Sequence, residues 1–246
     1  MSELAGKRAL VTGASRGIGA AIALALAEKG ADVAITYERS ADKANEVVRA
    51  IEAKGRRGFA IQADSADAAA VKASVHDAVG RLGGLDILVN NAGIARGGPV
   101  ADMSLADIDA LLDVNVRSVV LASQAAIPHL GKGGRIVSIG SNLAQRVAFP
   151  GVTVYSMTKS ALISFTSGLA RELGPLGITV NLVHPGSTDT DMNPANGELA
   201  DAQRAMTALG HYGKPADIAA AVTFLASPAA GQITGTSILV DGGANA

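Results

Sequence analysis

The chain of 246 residues has no cysteine and no tryptophan, and its aromatic side chains amount to three tyrosines and four phenylalanines. The missing thiols exclude disulfides, thiol nucleophiles and thiolate metal sites, and they suit a cytoplasmic protein. So few aromatic rings leave no platform for stacking nucleic-acid bases. Neither sign of charge is in excess: 21 basic and 22 acidic side chains give a net −1. Neither nucleic acid nor a membrane surface is therefore an expected partner. The four histidines, His76, His129, His184 and His211, are scattered without metal-ligand spacing, and no metal is expected. Every apolar run is broken by a charge, a glycine or a polar residue before the roughly 20 residues needed to cross a membrane. Residues 1–6 lack the apolar stretch of a signal peptide. There is no linker rich in proline, glycine or serine, no charge block and no internal repeat. The expectation is one domain over 1–246, long enough to bury a sizeable core.

What the chain does have is a regular alternation of short apolar runs with alanine-rich helical ones. Strands are predicted at Arg8–Thr12, Asp32–Thr36, Phe59–Gln62, Leu85–Val89, Arg135–Ile139, Ile178–Val183 and Ser237–Val240. Helices are predicted at Gly17–Glu28, Asp42–Ala53, Ala66–Arg81, Leu105–Leu130, Val154–Leu173 and Ala216–Ala226. Continuous apolar strands joined by crossover helices imply a parallel sheet covered on both faces. Right-handed crossovers make it a doubly wound, Rossmann-type α/β fold. The least regular stretch, 186–213, is long for a connection inside a domain and reads as a substrate lid with short helices.

The first strand is followed by Thr12-Gly13-Ala14-Ser15-Arg16-Gly17-Ile18-Gly19, which opens a helix. Three glycines permit a tight turn and a close backbone approach. The unpaired N–H groups and positive dipole end of the helix suit a diphosphate. Strand, glycine loop and helix in this order point to a dinucleotide rather than to a turn needed only for packing. The end of strand two then bears on which dinucleotide. Binders of NAD usually carry an acid there, on the ribose 2′-hydroxyl. Here Tyr37 holds that place, followed by Glu38, Arg39 and Ser40. Arg39 with Arg16 can pair with a 2′-phosphate, which favours NADP(H) over NAD(H). Glu38 argues the other way, unless it simply pairs with an arginine.

Tyr155-Ser156-Met157-Thr158-Lys159 places a phenol and an ammonium at i and i+4, on one helical face. A neighbouring positive charge is expected to lower the tyrosine pKa from its ordinary value near ~10, so that Tyr155 can exchange protons near neutral pH. Further stretches fall at the carboxyl ends of strands, where ligands bind in such sheets. They are Asn90-Asn91-Ala92-Gly93 and Pro185-Gly186. Asn115 lies in the long helix.

In these motifs, from about Gly6 to Gly243, the chain resembles the short-chain dehydrogenase/reductase family. Within it the likeness is strongest to ketoacyl-carrier-protein reductases and related carbonyl, polyol and hydroxynaphthalene reductases. The resemblance implies seven parallel strands, a homotetramer and reversible hydride transfer to a ketone or 3-oxoacyl thioester. It also implies roles. Ser141 matches the serine that holds the substrate oxygen, Tyr155 the acid/base, and Lys159 the residue on the nicotinamide ribose. Asn115 matches the asparagine whose backbone holds a relay water. Asp64 and Ser65 match the adenine contacts. Asn91, Ala92 and Gly93 match the segment beside the adenosine ribose, and Pro185, Gly186, Thr188 and Thr190 fall around the carboxamide. Plainer readings stand beside some of these. Ser138 competes with Ser141, Asp64 or Ser65 can cap the helix Ala66–Arg81, and Asn115 can bond backbone in a kinked helix. Expected pocket walls are residues 142–149, Ala95-Arg96 and the lid, with Met192, Met206 and Leu209 as its apolar side. Arg96 and Arg146 are candidates to meet an acidic substrate or a carrier protein.

Overall fold

Strands form where Val, Ile, Leu and Ala run without charge. They are β1 (Arg8–Val11), β2 (Asp32–Tyr37), β3 (Gly58–Gln62), β4 (Ile87–Asn90), β5 (Arg135–Ile139), β6 (Thr179–Pro185) and β7 (Ser237–Val240). In the computed structural model, which describes residues 2–246, they make one sheet in the order β3-β2-β1-β4-β5-β6-β7. Every pairing is parallel. The chain steps outward from β1 to β3, then returns to lay β4 on the other side of β1, with Val11 opposite Val89. That reversal opens a crevice at the carboxyl ends of β1 and β4.

Successive strand residues point to opposite faces, so each strand feeds two cores. Val11, Ile35, Val89 and Val137 pack under α1 (Gly17–Glu28), α2 (Ala41–Glu52) and α8 (Pro215–Ala226). Leu10, Ala34, Leu88 and Ile136 pack under α3 (Ala68–Leu82), α5 (Ser118–Ala126) and α6 (Thr153–Leu173). The alanine-rich faces of α1 and α8 bring these two helices together.

Three expectations need correction. The stretch Leu105–Leu130 is not one helix. It divides into α4 (Leu105–Leu112), a π-helical turn at Asp113–Arg117, α5, and a 3₁₀ turn at Ile127–His129. The Ser118 hydroxyl donates back to the Val114 carbonyl at 2.6 Å, while Asn115 is drawn sideways onto Ile94 and Thr158. Both wedges widen the turn. The same stretch, Leu105–His129, is also long and apolar enough by composition to cross a membrane, contrary to the expectation from the sequence. Here it is folded against α3 and α6 with half of its apolar window buried. Finally, neither Asp64 nor Ser65 caps the third helix. The helix starts at Ala68, and Asp67 accepts from the amides of Ala69 and Ala70 at 2.7 and 3.1 Å. Asp64 instead closes a tight turn on the Ala66 amide.

Between β6 and α8 the segment 186–213 is neither strand nor long helix. It carries the six-residue α7 (Ala200–Ala205) and two isolated bridges, Thr188 with Gly213 and Thr190 with Asn193.

Candidate active site

The glycine loop is built to bring backbone close to a ligand. Gly13 has φ +62, and a side chain there would run into the Cα of Ala92 at 2.8 Å. A Cβ at Gly19 would meet the Asn91 side-chain nitrogen at 2.4 Å. Three loops are stitched around this point. The Thr12 hydroxyl accepts from the amides of Asn91 and Ala92, both at 3.0 Å. The Asn91 amide group donates to the carbonyls of Thr12 and Gly13. The Gly13 amide donates to Thr36 at the end of β2. Asn91 and Ala92 thus act on loop geometry, which brings Ser15, Arg16, Gly17 and Ile18 to the start of α1. No side chain caps that helix and no acid lies in its first turn, so the first amides stay available to an anion. This cradle fits a dinucleotide diphosphate.

Tyr37 ends β2, and Ser40 precedes α2 without capping it by its side chain. Arg39 is exposed and pairs through Nε with Glu38 at 2.7 Å. Glu38 therefore already has a cationic partner. Arg16 reaches Asp191 at 3.3 Å, and Lys43 of α2 reaches the same carboxylate oxygen at 3.2 Å. Lys43, then Arg16, hold the Asp191 carboxyl below its ordinary range. No local pattern announces Lys43 or Asp191 at this place, because their meeting is purely tertiary.

The second half of the site lies across β4, β5 and α6. Asn115 is fully buried in the π turn. Its side-chain oxygen accepts from the Ile94 amide at 2.9 Å, and its nitrogen donates to the Ile94 carbonyl at 3.0 Å and to Thr158 at 3.1 Å. It thereby fixes the loop after β4 to the helix that carries Tyr155 and Lys159. Of the two candidate serines, Ser138 is engaged by Asn90 inside the core. Ser141 stands just past β5, where its oxygen accepts from the Leu143 amide at 3.2 Å and its hydroxyl bonds Tyr155.

Tyr155 departs from expectation. Its pKa is raised above the ordinary 10, because burial outweighs the opposing Ser141 bond. Lys159 sits 6.0 Å from the centre of the tyrosine ring, and its Nζ donates to the Ile139 carbonyl at 3.1 Å. Burial pushes the lysine itself down to about 8. Proximity of the charge was legible in the sequence; the loss of solvent around both groups was not.

Pro185 closes β6, and the Thr188 hydroxyl donates to the Gly186 carbonyl. Thr190 Oγ1 accepts from the Asn193 amide. The rest of this segment is organised by Gln203, whose side-chain oxygen accepts from Ser187, Asn193 and Tyr212 at 2.7 to 3.0 Å. The Arg204 guanidinium stacks over the Tyr212 ring at 5.4 Å. Met192, Met206 and Leu209 are exposed and form no packed inner face. Arg96 pairs with Asp107 at 3.4 Å, and Arg146 donates to the Ala244 carbonyl, so both arginines have partners within the chain. Asp64 is exposed beside Ser65 at the end of β3, while Gly93 runs past Lys159.

Fold and site together define a nicotinamide-dependent oxidoreductase: a glycine-lined diphosphate cradle faces a half-buried tyrosine between a buried serine and a buried lysine. Comparison with known proteins agrees. A family model described as enoyl-(acyl carrier protein) reductase matches residues 13–245. A short-chain dehydrogenase from Burkholderia cenocepacia J2315, solved in complex with NADP, is 63% identical. It superposes with a TM-score of 0.98 over 99% of this chain and 100% of that one. A blue fluorescent protein from a metagenomic library, in complex with NADPH, is 52% identical with a TM-score of 0.98, again over 99% and 100%. The 3-oxoacyl-(acyl-carrier-protein) reductase of Staphylococcus aureus is 45% identical over 240 residues, 96% of this chain and 97% of that protein. The chain belongs to the short-chain dehydrogenase/reductase family.

Proposed function

We propose that the protein is an NADPH-dependent reductase that converts a ketone or 3-oxoacyl group to the secondary alcohol. The observation that carries this reading is the half-buried Tyr155 phenol held against Ser141. A phenol held protonated at neutral pH is the correct form to give a proton to a carbonyl oxygen. The Ser141 oxygen takes the Leu143 amide, and the hydroxyl that bonds Tyr155 here would turn its proton to the same substrate oxygen. Lys159 and the Asn115 turn would keep that pair in register, and Lys159 would hold the nicotinamide ribose. Bound NADPH would supply the hydride. Ser15, Gly17, Ile18 and Gly19 would hold its diphosphate. Arg16 and Arg39, with Tyr37 and Ser40, would hold its 2′-phosphate end. Asp64 and Ser65 would hold the adenine, Asn91 to Gly93 the adenosine ribose, and Pro185, Gly186, Thr188 and Thr190 the carboxamide. Residues 186–213 would close over the substrate.

The Glu38–Arg39 pair removes the main support for the alternative, an NAD-dependent alcohol or polyol dehydrogenase. Initial rates with NADPH and NADH decide between the two readings. The substrates are 3-oxoacyl thioesters, β-ketoesters, cyclic ketones, quinones and sugars, with an enoyl thioester as control. Faster turnover of a ketone with NADPH is expected. Preference for NADH, or NADPH binding with no turnover across the whole panel, would refute the proposal.

A further inference from the structure

His184, on β6, is fully buried, and its ring lies against the backbone that presents Ser141. Its Nδ1 accepts the Ser141 amide proton at 3.1 Å. The same short segment is gripped at two more points. The Ile139 carbonyl takes Lys159 Nζ at 3.1 Å, and the Gly140 amide donates to the Val183 carbonyl at 2.7 Å. Position 140 is part of the arrangement. A Cβ there would lie 2.4 Å from His184 Nδ1 and 2.8 Å from its Cε1, so only glycine lets the imidazole approach. An imidazole that accepts at Nδ1 must carry its proton on Nε2. That Nε2 is buried and has no hydrogen-bond partner among the described residues. A buried donor without a partner is costly, and apolar neighbours would satisfy β6 as well as histidine does. Strand packing therefore does not explain the residue, whereas the bond from the Ser141 amide does.

We infer that His184 is a positioning residue for the reaction: its unprotonated Nδ1 holds the Ser141 backbone so that the serine hydroxyl meets the substrate oxygen beside Tyr155. The inference rests on the role proposed for Ser141. Ser141 leaves β5 in extended conformation (φ −162, ψ 148). Its hydroxyl direction is then set by two amide bonds, its own to His184 and that of Leu143 to its oxygen. Without the first, the residue can rotate about its backbone while cofactor contacts, which lie on other loops, stay as they are. A displacement of about 1 Å at such a point is worth roughly a hundred-fold in rate.

Two variants separate the acceptor from the packing. His184→Asn keeps an oxygen where Nδ1 stands. His184→Leu keeps the shape at that position and removes the acceptor. Steady-state kinetics with NADPH and the best ketone of the panel should show kcat falling roughly a hundred-fold in His184→Leu. The NADPH Kd should stay within about two-fold, and His184→Asn should recover most of the rate. Equal losses in both variants, or a wild-type rate in His184→Leu, would overturn the inference. Ser141→Ala belongs in the same series. If it turns over normally, the Ser141 role and this inference fall together. If it loses turnover while His184→Leu keeps it, only the inference falls. A measurement on the unaltered protein does not depend on a variant folding: nitrogen-15 NMR of the histidines should show one neutral ring protonated at Nε2 whose signals move on Ser141→Ala or on adding NADPH and product alcohol. A His184 ring protonated at Nδ1 at neutral pH would overturn it.

Discussion

Lys159→Met should make the cofactor-free protein more stable while destroying its activity. The lysine ammonium is buried, and its pKa is moved from the ordinary 10.5 to about 8 by loss of solvent. At 1.36 kcal/mol per pH unit, that gap corresponds to about 3 kcal/mol of unfavourable burial at pH 7. Methionine fills a similar volume without charge. It forfeits the bond to the Ile139 carbonyl, which offsets roughly 1–2 kcal/mol of the gain. The variant should therefore be about 1–2 kcal/mol more stable at pH 7, a rise of roughly 2–8 °C in Tm for a chain of this size. The sign with pH is definite. Between about 8 and 10.5 the unfolded chain still holds the proton that the folded chain has released, so wild-type stability rises with pH across that window. The advantage of Lys159→Met should accordingly shrink from pH 7 to pH 10.5. Urea unfolding of both proteins across that range is the assay. A variant less stable than wild type at pH 7, or a gap that widens with pH, would refute the reasoning. A stabilising loss of the residue would also mark Lys159 as retained for chemistry and not for folding.

Two further outcomes follow from the same geometry. Arg39→Ala should weaken NADPH about ten-fold and leave NADH within two-fold, since only the 2′-phosphate loses a charge-assisted bond; isothermal titration with both cofactors checks this. Asn115→Ala removes three hydrogen bonds that join the loop after β4 to α6. It should lower unfolding free energy by about 2–4 kcal/mol in urea and reduce turnover as well.

The strands were legible because their signal is local. Arg135–Ile139 and Ser237–Val240 are short apolar runs between turn residues, and they form strands over the same residues. The helix at Gly17–Glu28 was equally plain from its glycine loop and alanine periodicity. Leu105–Leu130 was not, because a π turn keeps the apolar composition and is caused by side chains meeting distant partners: Asn115 with Ile94, and with Thr158. The start of α3 was displaced because Asp64, Ser65 and Asp67 are all competent caps, and only the path of the chain after β3 selects Asp67. In the site, residue identities were readable from spacing, and energetics were not. Spacing placed Lys159 beside Tyr155 but said nothing of burial, which reverses the expected direction of the tyrosine pKa. Lys43, Asp191 and Gln203 take their places through contacts that no local pattern announces.

The central claim is that Tyr155 gives the proton to the substrate oxygen while the cofactor is held elsewhere. Single-turnover oxidation of bound NADPH by the best ketone, in wild type and Tyr155→Phe, tests it most directly when NADPH affinity is measured on the same samples. The rate should be lower by roughly 100- to 10,000-fold in the variant, with NADPH Kd within about three-fold. A variant that binds NADPH normally and transfers hydride at the wild-type rate would contradict it.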